Sequence, residues 1–311
     1  MSRITSPSAL PPESQNPGPR FVRWLIAGVL ALNAAMIAVS VTPLVDQRQR
    51  VVEQVYSTTS NLAALLELNV ADSVRRIDLG LLGIVDVLEQ QLRDGRVDPA
   101  RIVENLATHQ QRHPVVDAFR VSDSQGRLRW GKGVTAETTL SYADRPFFAE
   151  HLRTPGQQLI VTEPLFGRVS KKWVIAFTRS YRNPDGSFAG IVAAAVDIEH
   201  FGALLSALSL GAHGSAVIRH QDFSLIARYP GVEGPPGVPG HNVVSEEFKA
   251  TFASGNRTGT FHTANAPDGY ERTYSFQRVQ NTPFVLTVGM APQDYLDDWW
   301  IELGNTLLVI L

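Results

Sequence analysis

The 311-residue chain sets 28 Lys and Arg against 30 Asp and Glu, a formal net charge of -2, and is 44% hydrophobic and 19% charged. That balance excludes a wholly disordered protein and leaves no global basic field to hold nucleic acid. Cysteine is absent, which removes disulfides, thiolate metal sites and cysteine nucleophiles together.

Residues 1–20 carry five prolines with Ser, Asn and Gly, and are predicted to form a disordered cytoplasmic tail. From Trp24 to Val45 the chain reads WLIAGVLALNAAMIAVSVTPLV without a charged side chain. As helix that stretch covers about 33 Å, enough for a hydrocarbon core of about 30 Å, so a transmembrane helix is predicted over 21–45. Arg20 and Arg23 on its N-terminal side place the tail in the cytoplasm and the following residues outside. A cleaved signal peptide is the alternative, with Ala38-Val39-Ser40 as its cleavage site. The long apolar run and the extended polar leader favour an uncleaved anchor.

Residues 46–114 read as a helical spine. Val51, Val55, Leu62, Leu65, Leu66, Val70, Val74, Ile77, Leu81, Ile84 and Leu88 keep mostly three- or four-residue steps. Asp94-Gly95 ends that run, and Asp98-Pro99 starts a short helix carrying Ile102, Val103 and Leu106. Alternation and turns follow: strands over 115–123 and 128–133, a short helix over 144–153, strands over 159–168, 172–182 and 188–198, and a helix over 200–208. A smaller copy of this grammar comes next. It has strands over 214–220 and 225–230, a Gly/Pro-rich loop over 231–240, a helix near 245–254, and strands over 257–263, 270–279 and 284–291. Pro292 opens a return helix. The closing WWIELGNTLLVIL, with Trp299 and Trp300 suited to an interface, reads as the start of a second transmembrane helix over 292–311. Hairpin-length connections point to an α+β chain with antiparallel sheets.

DSQGRLRW (123–130), YADRPFFAEH (142–151), FGRVSKKWVIAFTRSYRNPDGSFAGIVAAAVDIEHF (166–201) and SLIARYP (224–230) resemble the double Cache family of extracytoplasmic sensor domains. The two middle stretches are similar to the versions found in bacterial diguanylate cyclases and sensor histidine kinases. The resemblance covers about residues 46–298. It implies a long N-terminal helix acting as spine and homodimer surface, with two PAS-like antiparallel-sheet subdomains stacked along it between the membrane helices. A distal subdomain (115–210) would hold a ligand, and a membrane-proximal one (211–291) would pass the change to the membrane. Such a chain would sit in the inner membrane with its sensor in the periplasm.

In that family the pocket lies between the sheet and the loop carrying Arg-x-aromatic-aromatic, here Arg145, Phe147 and Phe148. The amino-acid-binding branch pattern is matched at Arg145 and Asp197. Phe147 and Phe148 replace its Trp and Tyr, and Leu140 stands where its upstream Tyr would be, which removes two phenols and an indole N–H. Chemically, Arg145 offers a planar fork for a carboxylate, or pairs with a local acid. Phe147 and Phe148 cap an apolar ligand portion or pack as core, and Tyr142 could donate from its phenol. Asp197 either takes an ammonium or caps the following helix. Trp173 faces the pocket or packs under the helix. Ser170, Lys171 and Lys172 form a basic turn beside it.

Together these residues suggest a small anionic or zwitterionic ligand, an organic acid as well as an amino acid. No cofactor is implied. His109 and His113, four apart, lack a third metal ligand nearby in sequence. Walker, dinucleotide-fingerprint, HExxH and GxSxG motifs are absent, and Gly80 and Gly83 lack the spacing of a phosphate cradle. The competing functions are a protein-partner-binding periplasmic module, which a dry, filled distal pocket would favour, and a membrane-anchored periplasmic enzyme.

Overall fold

The computed structural model describes residues 19–310 apart from Pro155 and Gln157, so the tail predicted over 1–20 lies almost wholly outside the described residues. Two compact units emerge: residues up to Arg50 together with those from Asp298 onward, and residues Val51–Asp297.

In the first unit, helix α1 (Pro19–Arg93) begins and helix α7 (Asp297–Ile310) ends. Among the described residues one helix is long and apolar enough to cross a membrane, with none of its most apolar 18-residue window buried inside the protein. Trp24, Leu25, Ile26, Leu30 and Leu32 all face outward there. Trp299 Nε1 donates to Leu44 O at 2.8 Å, and Gln47 Nε2 to Glu302 Oε2 at 2.8 Å.

In the second unit α1 continues as the spine. Val55, Leu66, Val70, Val74, Ile77, Leu81, Ile84 and Leu88 are buried, whereas Leu65, Leu68 and Leu79 are exposed on another stripe. Gly95, at φ +66, closes the helix where only glycine turns left-handed without a Cβ penalty. Asp98 caps helix α2 (Pro99–Arg112) by accepting from Ala100 N and Arg101 N. Ile102 and Leu106 point inward from α2, and Val103 faces out. His109 and His113 lie stacked, ring centroids 6.0 Å apart, against Phe119. A Cβ at Gly83 would fall 2.8 Å from the His109 ring, and one at Gly80 2.9 Å from that of His113. Those two glycines let α2 approach the spine; they serve packing.

The first sheet holds β1 (Val116–Ser122), β2 (Leu128–Gly131), β3 (Ile160–Val161), β4 (Leu165–Phe166), β5 (Trp173–Arg182) and β6 (Phe188–Asp197). Helix α3 (Pro146–Arg153) lies between β2 and β3, and α4 (Ile198–Ser206) follows β6. The order is β2-β1-β6-β5-β3, with β4 also on β5, all antiparallel. The strand expected over 159–168 is thus two short ones. Glu163-Pro164 interrupts it, because proline has no N–H to give a ladder and restricts the residue before it.

The second sheet holds β7 (Ser215–His220), β8 (Leu225–Tyr229), β9 (Thr258–Thr263), β10 (Arg272–Arg278) and β11 (Phe284–Met290), with helix α5 (Glu246–Ala253) before β9. Its order, β8-β7-β11-β10-β9, repeats the five-strand path of the first sheet, with no counterpart to β4. The return helix breaks: α6 (Pro292–Tyr295) stops at Leu296, which leaves helical geometry at ψ 3 with its side chain buried.

Alternation places one face of each sheet on the spine. Phe119, Ile175, Phe177, Val192, Ala194 and Val196 of the first sheet, and Ala216, Ile218, Leu286 and Val288 of the second, share one core with the spine residues. Polar pins accompany that packing. Arg179 Nε and Nη2 reach Asp78 Oδ1 and Oδ2 at 2.5 and 2.9 Å. Arg182 N donates to Glu89 Oε1 and Gln280 N to Glu67 Oε1, each at 2.9 Å, and Thr59 Oγ1 meets Ser275 Oγ at 2.8 Å.

Candidate functional site

The opposite face of the first sheet carries the candidate site. Because side chains alternate, the run IVAAAVD turns Val192, Ala194 and Val196 to the spine and Ala193 and Ala195 to the other side. Ala176 of β5 pairs with Ala195, so three methyl groups floor this region where larger residues would fill it. Above them lies a cavity of about 40 Å³, walled by Arg120, Tyr142, Arg145, Phe147, Arg168 and Ser170 among others. Among the described residues no Asp or Glu lines it.

Each arginine comes from a different element. Arg120 sits in β1, buried, with Nε donating to Lys132 O at 3.0 Å. Arg145 holds the N-cap position of α3, and its Nη2 donates to Phe166 O at 3.2 Å. Burial and the neighbouring Arg168 hold the Arg145 pKa below its ordinary value. Arg168 Nη1 donates to Ser141 O and to Asp144 Oδ1, both at 2.7 Å, while Nη2 engages Asp144 Oδ2. This bidentate pair clasps the 140–145 loop to the 167–172 turn, and the hydrogen bonds from Arg168 hold the Asp144 carboxyl down at about 2. Burial pushes the Tyr142 phenol up, with Arg120, Arg145 and Arg168 acting in the opposite direction.

The Ser170 hydroxyl is buried in the cavity wall without a hydrogen-bond partner. Gly167 makes this turn possible: a Cβ there would lie 2.1 Å from Ser170 Oγ.

Beyond Arg145, Phe147 and Leu165, which line both spaces, opens a cleft of about 700 Å³. Its other walls come from α3 and the 158–164 segment on one side and the turns at His220-Gln221 and Asn281-Pro283 on the other. Glu163 and His220 line this cleft and, with Asp222, are the one group of three among the described residues whose potential metal-ligand atoms converge, to within 4.8 Å. Asp222 Oδ1 already accepts from Ser224 N, Ser224 Oγ and His220 Nδ1.

Of the residues singled out from sequence, Arg145, Phe147, Tyr142 and Ser170 line the inner cavity. Phe148, Asp197 and Trp173 are not among its lining residues. Phe148 packs in a small core with Phe147, Ile160 and Ile191. Asp197 caps α4, accepting from Glu199 N at 3.0 Å, and its other oxygen takes Lys172 Nζ at 2.9 Å. Trp173 lies edge-on to Phe166. Lys171 adopts φ 55 in the turn. Sequence reasoning passed over Arg120 and Arg168. The signal for Arg120 was an arginine inside an otherwise apolar strand, VVDAFRVSD.

No protein-family model and no curated protein matches the sequence. Solved structures do. The extracellular domain of rpHK1S-Z16, assigned as a histidine kinase, is 23% identical, with a TM-score of 0.69 over 79% of this chain and 98% of that one. The periplasmic sensory domain of the Campylobacter jejuni chemoreceptor Tlp1 is 10% identical, with a TM-score of 0.64 over 78% and 96%. The ligand-binding domain of the Pseudomonas fluorescens chemoreceptor CtaA, in complex with L-isoleucine, is 12% identical, with a TM-score of 0.57 over 79% and 96%. The long helix, the two sheets of one strand order and these likenesses agree: the chain has the fold of the double Cache sensor domains.

Proposed function

We propose that this chain is the extracytoplasmic sensing region of a bacterial transmembrane signalling receptor, and that the first sheet's subdomain takes a small organic acid. One observation carries the ligand class: among the described residues, three guanidiniums and an unpartnered hydroxyl line a cavity with no carboxylate in its wall, and of the three only Arg168 is paired with an acid, Asp144 beside it. A planar carboxylate satisfies such donors. Asp197, the acid that would receive an amino acid's ammonium by the family pattern, holds a helix end and Lys172 instead. Glu150 and Glu163 of the cleft are the remaining acceptors, so the titration includes amino acids. The inner cavity is otherwise apolar, but Arg120, Arg145 and the Ser170 hydroxyl reach into it, polar groups that the dry, filled pocket of a purely partner-binding module would not need. At about 40 Å³ it admits only the ligand's charged end, with the remainder in the adjoining cleft of about 700 Å³, a volume suited to a small-molecule site.

The protein lies in the inner membrane with Val51–Asp297 in the periplasm, anchored by the apolar part of α1. Leu65, Leu68 and Leu79 form an exposed stripe at heptad-compatible spacing, on which two spines pair as a homodimer. Ligand binding then shifts the balance between two packings of the helices by no more than its differential affinity for them. The output is a diguanylate cyclase or histidine kinase.

Thermal unfolding of the full chain in detergent, titrated with acetate, succinate, malate, L-alanine and L-isoleucine, tests this. A saturable rise for a carboxylic acid, weakened at least about tenfold in Arg145→Ala, is expected. A rise for the amino acids alone, or one indifferent to Arg145→Ala, overturns the organic-acid assignment.

A further inference from the structure

The second sheet carries a cavity of its own, on the face turned away from the spine. Val217, Arg219, Arg228, Ser245, Phe248, Thr263, Tyr274 and Thr287 are among the residues around a space of about 40 Å³. Arg219 is 5% exposed and makes no ion pair with any described residue. Its Nη1 donates to Phe223 O at 2.6 Å and His241 O at 3.1 Å, while Nε and Nη2 make no hydrogen bond with any described residue.

A buried guanidinium without a counter-charge is costly, and this one has a second arginine for a neighbour. Burial, reinforced by Arg228, lowers the Arg219 pKa to about 10. Arg228 shares Asp268 with Arg272: Arg228 Nη2 and Arg272 Nη2 reach Asp268 Oδ2 at 2.6 and 2.7 Å, and Arg272 Nη1 reaches Oδ1 at 2.6 Å. Three guanidiniums therefore stand against one half-buried carboxylate, a surplus of two positive charges. Glu247, which accepts from Thr263 Oγ1 at 3.0 Å, is exposed. The Thr287 hydroxyl also makes no hydrogen bond with any described residue, and that of Tyr274 meets Ser215 Oγ at 3.0 Å.

We propose that this cavity is a second ligand site, for a compact planar monoanion of the formate, nitrate or bicarbonate class, held by Arg219 with Thr287 and Arg228. The size follows from the volume, which takes about two or three water-sized groups. The charge follows from the unpaired guanidinium, and the shape from its planar fork. The site stands apart from the organic-acid cavity and shares no lining residue with it. An anion here supplies the missing counter-charge, so it steadies the second subdomain whether or not the first is occupied.

The test is thermal unfolding of the full chain in detergent with sodium formate, nitrate or bicarbonate, ionic strength being held with sodium gluconate, whose anion is too large to enter. A saturable rise is expected for at least one compact anion, kept in Arg145→Ala. Its half-saturating concentration should increase at least about tenfold in Arg219→Gln, which retains a donor but loses the charge. Val217→Leu, which fills the space without touching charge, should do the same and decides the matter if Arg219→Gln does not fold. A response no greater than that to gluconate, or one unchanged in Val217→Leu, overturns the proposal. Loss of the response in Arg145→Ala alone would assign the anion to the first cavity and likewise overturn it.

Discussion

The two sheets share a strand order and a buried arginine in the opening strand, three residues before an aspartate that organises the turn: Arg120 and Asp123 in one, Arg219 and Asp222 in the other. They differ in what covers the face away from the spine. On the first sheet the floor is alanine at 176, 193 and 195, and α3 brings Phe147, Phe148 and a buried histidine over it. On the second, Phe248, Phe252, Phe261, Tyr274 and Phe276 pack ring against ring. One architecture thus trades packing for chemistry by side-chain volume at a few inward positions. The aromatic filling confines the second cavity to the patch around Arg219, whereas the alanine floor leaves the first continuous with a cleft.

The comparison is sharpest where the trade is reversed. Phe276→Ala, at a residue 1% exposed, should cost about 3–5 kcal/mol in denaturant unfolding. Ala195→Val, on the first sheet, should cost less than about 1.5 kcal/mol because its methyls enter existing space, while weakening organic-acid binding. Equal costs would mean that the first face is as tightly packed as the second.

The buried histidine separates the subdomains by pH. His151 Nε2 meets Thr178 Oγ1 at 2.9 Å, Nδ1 has no partner, and burial lowers its pKa to about 4. The unfolded chain protonates this group near the ordinary value of about 6.5, and the folded chain only near 4. Between those values the unfolded state binds more protons, so stability falls as pH falls, by about 3 kcal/mol from this group. Unfolding of His151→Gln should lack that portion of the slope between pH 6.5 and 4; parallel curves for both proteins would remove His151 from the account.

Smaller effects test the clasp and the cap. Asp197→Ala should cost about 1 kcal/mol as a lost N-cap while leaving organic-acid affinity unchanged, measured by calorimetry. A large loss of affinity would return Asp197 to the binding site. Asp144→Asn should leave the unfolding midpoint in place, since the pair with Arg168 lies at the surface. Its expected effect is faster ligand association in stopped-flow mixing, because the loop over the cavity is released.

Much of this was legible in the residues. The spine shows in the spacing of Val70, Val74, Ile77, Leu81, Ile84 and Leu88, the start of α2 in Asp98-Pro99, and the loop bearing Arg145 in the family resemblance. The alternation in IVAAAVD also places Ala193 and Ala195 on one face before any coordinates. What was not legible depends on partners distant in sequence. Arg120 reads as one polar residue in a strand until the pairing of β1 and β6 sets it among the alanines of the floor. Arg168 reads as a strand end until it meets Asp144, and Asp197 keeps two readings until Lys172 Nζ arrives. The break at Leu296 depends on burial that follows an apparently continuous helical pattern.

If the proposed function holds, the alanine floor also bears on how a receptor of this fold changes its ligand over generations. Positions 176, 193 and 195 face away from the core shared with the spine, and the valines beside them hold the sheet in place. Replacing one methyl by a larger side chain subtracts ligand volume in steps of single carbons and leaves the arginines and the spine contacts as they were. Selection can therefore rescale the preferred ligand of the proposed site one substitution at a time, without passing through an unfolded intermediate sequence.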